Sequence, residues 1–378
     1  MKTLTQEDKI WLSSPHMGGA EEEYVQEAFK TNWIAPLGPN VTAFESDISN
    51  FLDKDIYSAC LSSGTAAIHL ALELLGVTKG DEVICQSFTF SASANPIVYL
   101  GATPVFIDSE EETWNLSPEL LEKAIVSRLK AGRKPKAIIA VHLYGMPYSV
   151  DEIRNISLKY DIPVVEDSAE ALGSQYRNKK CGTFGTIGIL SFNGNKIITT
   201  SGGGALLTRD KKLKEKAVFL ATQARDEAPH YQHSHIGYNY RMSNVLAGIG
   251  RGQMKVLSDR VEARRKNFMF YRDALSEFSE ISFLKEPENS FSNRWLSTIL
   301  TNNYNTREAL RLALSKVNIE SRPLWKPMHM QPVFEGCASF TNGVSEDLFE
   351  RGLCLPSGSN LEESDLARVV DEIKKTLA

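Results

Sequence analysis

No apolar run in the 378-residue sequence approaches the roughly 20 residues that a membrane-spanning helix needs, so no membrane segment is expected. The opening stretch, MKTLTQEDKIWLSS, lacks the apolar core of a secretory leader. Cysteine is scarce: Cys60, Cys85, Cys181, Cys337 and Cys354 are odd in number, scattered and never arranged as C-x-x-C. That argues against a disulfide framework and for reduced, mostly buried thiols in a cytoplasmic protein. Lysine and arginine are spread along a chain of net charge −5, which leaves no basic surface for nucleic acid. Neither G-x-G-x-x-G nor G-x-x-x-x-G-K-[ST] occurs. GTFGTIG, Gly182 to Gly188, is rich in glycine but wrongly spaced, so nicotinamide and ATP sites are not supported. HYQHSH, with His230, His233 and His235, has no cysteine or carboxylate cluster at ligand spacing, and no metal is expected there.

What is present is a chain 42% hydrophobic and 24% charged, enough for two globular domains with substantial cores. Between residues 57 and 208 short apolar strands alternate with helical stretches. Strands are expected at Tyr57–Leu61, Glu82–Gln86, Pro104–Ile107, Ala137–His142, Pro163–Glu166, Gly188–Phe192 and Ala205–Thr208. Helices such as Ala66–Leu75 and Val150–Lys159 lie between them. This pattern predicts an α/β fold with a largely parallel sheet covered on both faces, and ligands in such sheets bind beyond the carboxyl ends of the strands. From Ser243 to about Glu277 one long helix is expected, with Arg260, Arg264 and Arg265 on its wet side. Residues 13–250 read as a large domain and 251–378 as a smaller one, with that helix at the junction.

Lys196 stands out in SFNGNKIITTSGGGALL, flanked by Asn193, Gly194 and Asn195 on one side and Ile197 and Ile198 on the other. No acidic residue is near it in sequence. An unprotonated lysine amine can form a Schiff base with the aldehyde of pyridoxal phosphate. That cofactor makes three further demands. A carboxylate must keep the ring nitrogen protonated, and Asp167 sits just past the apolar strand of IPVVEDSAEALGS. Phosphate needs backbone N–H groups and hydroxyls. Ser62, Ser63, Gly64 and Thr65 end a strand and open a helix, where free N–H groups and the positive dipole end converge, and Ser191 adds a hydroxyl. A flat side chain must lie against the ring, and Phe90 in CQSFTFSAS is the candidate. Each has an ordinary alternative: a turn or cap for Asp167, N-capping for the serines, core packing for Phe90. Their shared placement at strand ends favours the cofactor.

These segments resemble the DegT-like nucleotide-sugar aminotransferases, pyridoxal-phosphate enzymes of fold type I. The resemblance rests on LSSGTAAIHLAL, FTFSASANPI, GATPVFID, HLYG, VVEDSAEALGS, GTFGTIGILSFNGNKIITTSGGGAL, IGYNYRMSNV, SRPLWKPMH and LCLPSG, which run almost end to end. It is strongest to enzymes that aminate C4 of a UDP-linked 4-keto-6-deoxy-N-acetylglucosamine in the bacillosamine-type pathway, through PHMGGAEEEYVQEAFKTNWIAPLGP, FNGNKIITTSGGG and SNRWLS. The resemblance implies a large cofactor domain with a mixed, mostly parallel sheet between helices, and a smaller carboxyl-terminal α+β domain. L-Glutamate would be the donor and 2-oxoglutarate the by-product, in a homodimer with shared active sites. Lys196 matches the Schiff-base lysine that also shuttles the proton, Asp167 the partner of the ring nitrogen, and Phe90 the ring-stacking position. Gly64, Thr65 and Ser191 match phosphate contacts. Asn239 matches a residue reaching the phosphate from the second subunit, and Glu170 a position near the ring hydroxyl.

On this reading Lys196 lacks acidic partners because a salt bridge would hold its amine protonated. The glycines after it would supply positive φ and close backbone approach. Arg241, Arg322 and His329 are candidate contacts for the donor carboxylate or the nucleotide phosphates, and Trp295 and Trp325 for the sugar pocket. HYQHSH reads as a mobile loop near the substrate entrance. The alternatives are amination of a GDP- or dTDP-linked 3- or 4-ketosugar, a nucleotide-sugar dehydratase, or a non-enzymatic binder of sugar nucleotide or cofactor. The dehydratases lack the lysine. A mere binder would be expected to lose Lys196 or Asp167, and both are present.

Overall fold

The computed structural model describes residues 9–378. Residues 1–8, which carry most of the leader reading, lie outside them. The strands, in chain order, are β1 (Tyr57–Leu61), β2 (Glu82–Gln86), β3 (Thr103–Ile107), β4 (Ala137–Val141) and β5 (Val164–Asp167), then β6 (Gln175–Tyr176), β7 (Lys179–Lys180), β8 (Ile187–Ser191) and β9 (Gly204–Thr208). The carboxyl-terminal part adds β10 (Ile281–Phe283), β11 (Ser290–Phe291), β12 (Ser297–Thr301), β13 (Arg322–Pro323), β14 (Ser339–Phe340) and β15 (Gly352–Leu355).

Eight strands form the main sheet, in the order β1-β9-β8-β5-β4-β2-β3-β14. Pairing is parallel from β8 through β14 and antiparallel where β9 meets β8 and β1. The α/β fold with a mixed, mostly parallel sheet between helices is therefore as expected. All seven expected strands are present, each within a residue or so of its expected ends. Their apolar runs work as central strands because both faces are buried: every residue of β2 and β4 is covered. One core lies between the sheet and helix Gly64–Leu74, and another between the sheet and helices Pro118–Lys130 and Val150–Tyr160. A second sheet, β10-β12-β15-β13, packs on helix Glu363–Leu377, and a short third sheet is β11-β6-β7.

β14 belongs to the main sheet although it comes from the carboxyl-terminal part. Ser339 and Phe340 pair with Phe106 and Ile107. The buried Asp108, just past β3, fastens the join by accepting the N–H groups of Ser109, Asn342, Gly343 and Ser345 at 2.8–3.0 Å.

The single helix expected over 243–277 is two helices, Asn244–Met254 and Leu257–Ala274. The first packs closely enough that a Cβ on Gly250 would strike Phe44, and one on Gly252 the backbone of Glu21. The placement of Arg260 and Arg264 on the wet side is also corrected: Arg260 is buried and donates to the His16 and Met17 carbonyls, while Arg265 is half-buried. Arg264 is buried, and its guanidinium donates to the carbonyls of Trp295 and Lys196 and to Ser13 Oγ. Burial, with repulsion from Arg260, pulls its pKa down to about 9. The helix is flanked by protein on two sides, so a polar residue on its inner face serves as a clamp.

The glycine-rich GTFGTIG loop wraps a carboxylate. Glu166 on β5 is completely buried and accepts N–H groups from Gly182, Phe184 and Gly185, and it meets His142 Nε2 at 2.7 Å. A Cβ on Gly185 would strike Glu166 itself, and one on Gly188 the Gly182 carbonyl. Burial pushes the Glu166 carboxyl up, but His142 and the backbone donors outweigh it and hold it below its ordinary 4.5. Glu166→Gln would turn an NH2 toward donors that need an acceptor. It is expected to cost about 3 kcal/mol or more of stability at neutral pH. Because the folded pKa is depressed, that contribution is present above the unfolded value and is lost as pH falls through the folded one. Denaturant midpoints of wild type and variant should therefore differ widely at neutral pH and draw together below about pH 4.5.

Candidate active site

The carboxyl ends of β5 and β8, the start of β9 and the start of helix Gly64–Leu74 surround a cavity of about 310 Å3. Lys196, Asp167, Glu170, Ser191, Gly64, Thr65 and Phe90 all line it. Sequence reading thus placed seven residues, spread over more than a hundred positions, in one site. Trp295 and Trp325 line it too.

At the helix start, Ser63 rather than Thr65 is the N-cap, its Oγ accepting the Ala66 N–H at 3.0 Å. Helix geometry leaves the Gly64 and Thr65 N–H groups without carbonyl partners, beside Ser191. A Cβ on Gly64 would come within 3.1 Å of Ser191 Cβ. Opposite them, a Cβ on Gly204 would lie 2.4 Å from Gly64 N. Close approach is what this glycine provides. The expected positive φ is not found in Gly202, Gly203 or Gly204; it falls on Ser201, at 68°.

Asp167 ends β5 as a buried carboxylate. Ser93 Oγ donates to its Oδ2 at 2.7 Å, and the Ala169 N–H reaches Oδ1 at 3.1 Å. Ser93 in turn meets Thr89 Oγ1 at 2.8 Å. Phe90, 53% exposed, presents its ring to the cavity with Trp325 5.6 Å away.

Lys196 is not isolated from acid. Its Nζ lies 3.4 Å from Glu170 Oε1 and 4.2 Å from the Trp295 ring centroid. Glu170 comes from the loop after β5, so sequence distance hid the pairing. Its other oxygen accepts the Tyr144 N–H at 2.7 Å. Tyr144 takes a left-handed conformation, φ 53°, and stands between Trp295 and Trp325. The Lys196 turn is braced through its backbone: the Asn195 carbonyl accepts from Ser13 Oγ and Trp295 Nε1, both at 2.7 Å.

Four expected residues lie elsewhere. The Arg241 guanidinium is committed to Glu45 and the Cys60 carbonyl, a structural pairing in place of an anion contact. Both ring nitrogens of His329 are engaged, Nδ1 by Ser87 Oγ at 2.6 Å and Nε2 by Glu346 at 3.1 Å. Arg322 is paired with Glu320 but keeps an exposed guanidinium. Asn239 is exposed on the segment that bridges to Thr222. In HYQHSH, His233 meets the Gln223 carbonyl and His235 meets Ser234. No group of three or more metal-binding side chains occurs among the described residues, nor is any described helix long and apolar enough to cross a membrane.

Ser93, Thr89, Tyr144 and Ser13 were not singled out from sequence, although FTFSAS and HLYG contain three of them. The resulting set is an amine, a buried carboxylate, a helix start with free N–H groups and an exposed ring. This donor set fits pyridoxal phosphate on all three demands.

A model of the DegT/DnrJ/EryC1/StrS aminotransferase family matches residues 15–374. EpsN of Bacillus subtilis strain 168, provisionally named a pyridoxal phosphate-dependent aminotransferase, is 53% identical over 96% of this chain and 94% of its own. A GDP-perosamine synthase of Escherichia coli O157:H7 is 37% identical over 97% of this chain and 98% of its own. Among solved structures, the aminotransferase TlmJ from Streptoalloteichus hindustanus superposes with a TM-score of 0.89 at 29% identity, covering 97% of this chain and 98% of that one.

Proposed function

The chain belongs to the DegT/DnrJ/EryC1/StrS aminotransferase family, and from that premise we propose that it moves the amino group of L-glutamate to C4 of a UDP-linked 4-keto-6-deoxy-N-acetylhexosamine. It is a pyridoxal-phosphate-dependent aminotransferase of sugar nucleotides. The products of the proposed reaction are a UDP-4-amino-4,6-dideoxy sugar and 2-oxoglutarate. The observation that carries the chemistry is the joining of Lys196, Asp167 and the Gly64 helix start in one cavity. The choice of UDP sugar is supported by the resemblance of the Pro15–Pro39 stretch and of SNRWLS to enzymes of that specificity. The GDP-perosamine synthase relative supports a GDP-linked ketosugar as the second reading.

When bound, pyridoxal phosphate supplies the electron-withdrawing ring that takes up the electrons of the bond broken at carbon and carries the amino group between the two substrates. Lys196 Nζ holds the cofactor, then removes and returns the proton at the reacting carbon. Asp167 keeps the ring nitrogen protonated, and Ser93 fixes the orientation of that carboxylate. The Gly64 and Thr65 N–H groups and the Ser191 hydroxyl hold the phosphate. Phe90 would cover one face of the ring, and Glu170 would sit by the ring hydroxyl. Asn239 is assigned to the phosphate of a second copy, in a homodimer with shared sites. Of the expected anion contacts, Arg322 is retained because its guanidinium is exposed.

Substrate class is tested by half-reactions. The loaded protein is converted to the amine form with L-glutamate, freed of glutamate, and offered UDP-, GDP- and dTDP-linked 4-ketosugars separately. Recovery of the aldehyde absorbance with the UDP-N-acetyl sugar alone is the expected result. Recovery only with the GDP-linked sugar would replace the substrate, and no conversion by glutamate would remove the donor.

A further inference from the structure

A lysine at its ordinary pKa of about 10.4 is an ammonium at neutral pH, and an ammonium is not a nucleophile. Any lysine that must capture an aldehyde therefore needs somewhere to put a proton. In this cavity the described residues place one hydrogen-bond acceptor at the amine: Glu170 Oε1, 3.4 Å from Nζ. Asp167 does not serve, since its oxygens are taken by Ser93 and the Ala169 N–H. The other neighbour of Nζ is the Trp295 ring, which attracts a cation but accepts no proton.

We propose that Glu170 is a further catalytic residue, the acceptor that takes the Lys196 proton before the amine captures the cofactor's aldehyde. The step balances simply. An Nζ–H bond breaks, its electron pair stays on nitrogen as the lone pair, and an Oε1–H bond forms. No charge leaves the site, because an ammonium–carboxylate pair becomes an amine and a carboxylic acid. A solvated salt bridge would hold the amine protonated, but burial penalises both charges of this pair and favours the neutral one. The inference rests on the aminotransferase reading above.

Three features of the surroundings suit the role. Glu170 is 4% exposed, so the neutral acid is not penalised by lost hydration as the carboxylate is. Burial pushes its pKa up and the nearby Asp167 adds to this, while Lys196 and the Tyr144 N–H oppose them, and the balance stays above the ordinary 4.5. Its second oxygen is fixed by Tyr144, whose left-handed backbone turns that N–H inward, so Oε1 stays aimed at the amine. The groups facing Glu170 are Lys196, Asp167, Tyr144 and Cys354. Burial raises the Tyr144 phenol and the Cys354 thiol, which leaves both neutral and out of the exchange. A separation of 3.4 Å is long for a hydrogen bond, as is common in sites that tighten on binding.

The test is capture of pyridoxal phosphate by cofactor-free protein, followed by the change in cofactor absorbance as the Lys196 link forms, with no substrate present. Wild type should give a rate nearly constant from about pH 7 to about pH 9 and falling at lower pH, as Glu170 fills with its own proton. Glu170→Gln keeps the shape and an oxygen for the Tyr144 N–H but accepts no proton. Its rate should be about 100-fold lower near neutrality and climb with pH, drawing closer to wild type in alkaline solution. Glu170→Asp, which restores a carboxylate one carbon short, should recover part of the loss. Equal rates and equal pH profiles for wild type and Glu170→Gln would overturn the proposal. So would a wild-type rate that itself climbs tenfold per unit throughout, a result needing no variant. Failure of wild type to capture the cofactor at all would instead sink the aminotransferase reading, and this proposal with it.

Discussion

Lys196→Ala is expected to lower amino transfer by about 10⁴-fold or more, with the fold intact. Among the described residues Lys196 is the only lysine lining the cavity, and its side chain ends among Glu170 and Trp295 with no other described amine to substitute. The loss combines two functions, the link to the cofactor and the proton transfer at carbon, and neither can be passed to a neighbour. Lys196→Arg should fare no better, because a guanidinium stays protonated and cannot act as the nucleophile. Single-turnover conversion by L-glutamate reads the effect directly. A variant within tenfold of wild type would show that the lysine is not the reactive group. Stability should change little, since the turn is braced through the Asn195 and Lys196 carbonyls and not through the amine.

Asp167→Asn carries the second-largest expected effect, a loss of about 10²–10³-fold in the rate of amino transfer. This corresponds to roughly 3–4 kcal/mol, the scale of breaking a buried charge pair. The asparagine oxygen can still accept from Ser93 or Ala169, so the side chain should hold its place. What disappears is the negative charge that favours the protonated ring nitrogen. Cofactor should still bind, because the helix start, Ser191 and Lys196 are untouched. The prediction therefore separates kcat from cofactor affinity. Unchanged activity would move the partner of the ring nitrogen to another residue.

The sheet was legible because its strands are short apolar runs buried on both faces, and such runs announce themselves one segment at a time. Lys196, Asp167 and the SSGT helix start were legible for a related reason, as each departs from its local surroundings at a strand end. Pairings across the chain were not. Glu170 is 26 positions from Lys196, and nothing in EDSAEAL says that its carboxylate turns back toward a lysine one strand away. Ser93 meets Asp167 across 74 positions, and a serine among small residues gives no sign of it. Arg264 was misplaced because the arginines of its helix look alike in sequence. Only packing on both sides of that helix shows that Arg264, clamped to the Lys196 and Trp295 carbonyls, turns inward together with Arg260, while Arg265 stays half-buried. The break between the two helices after Met254 was not legible because the residues at it, Lys255 and Val256, carry no proline or glycine stop signal.

The central claim is that Lys196 is the residue that bears the cofactor. The most direct measurement is borohydride reduction of the loaded protein, followed by tryptic digestion and mass mapping. A lysine carrying the reduced cofactor resists trypsin, so the account predicts an adduct on a single peptide running from Cys181 to Arg209, uncut at Lys196. Prior treatment with L-glutamate should abolish it, because the amino group then resides on the cofactor and the lysine is free. An adduct on any other lysine, or one that survives glutamate unchanged, would contradict the account.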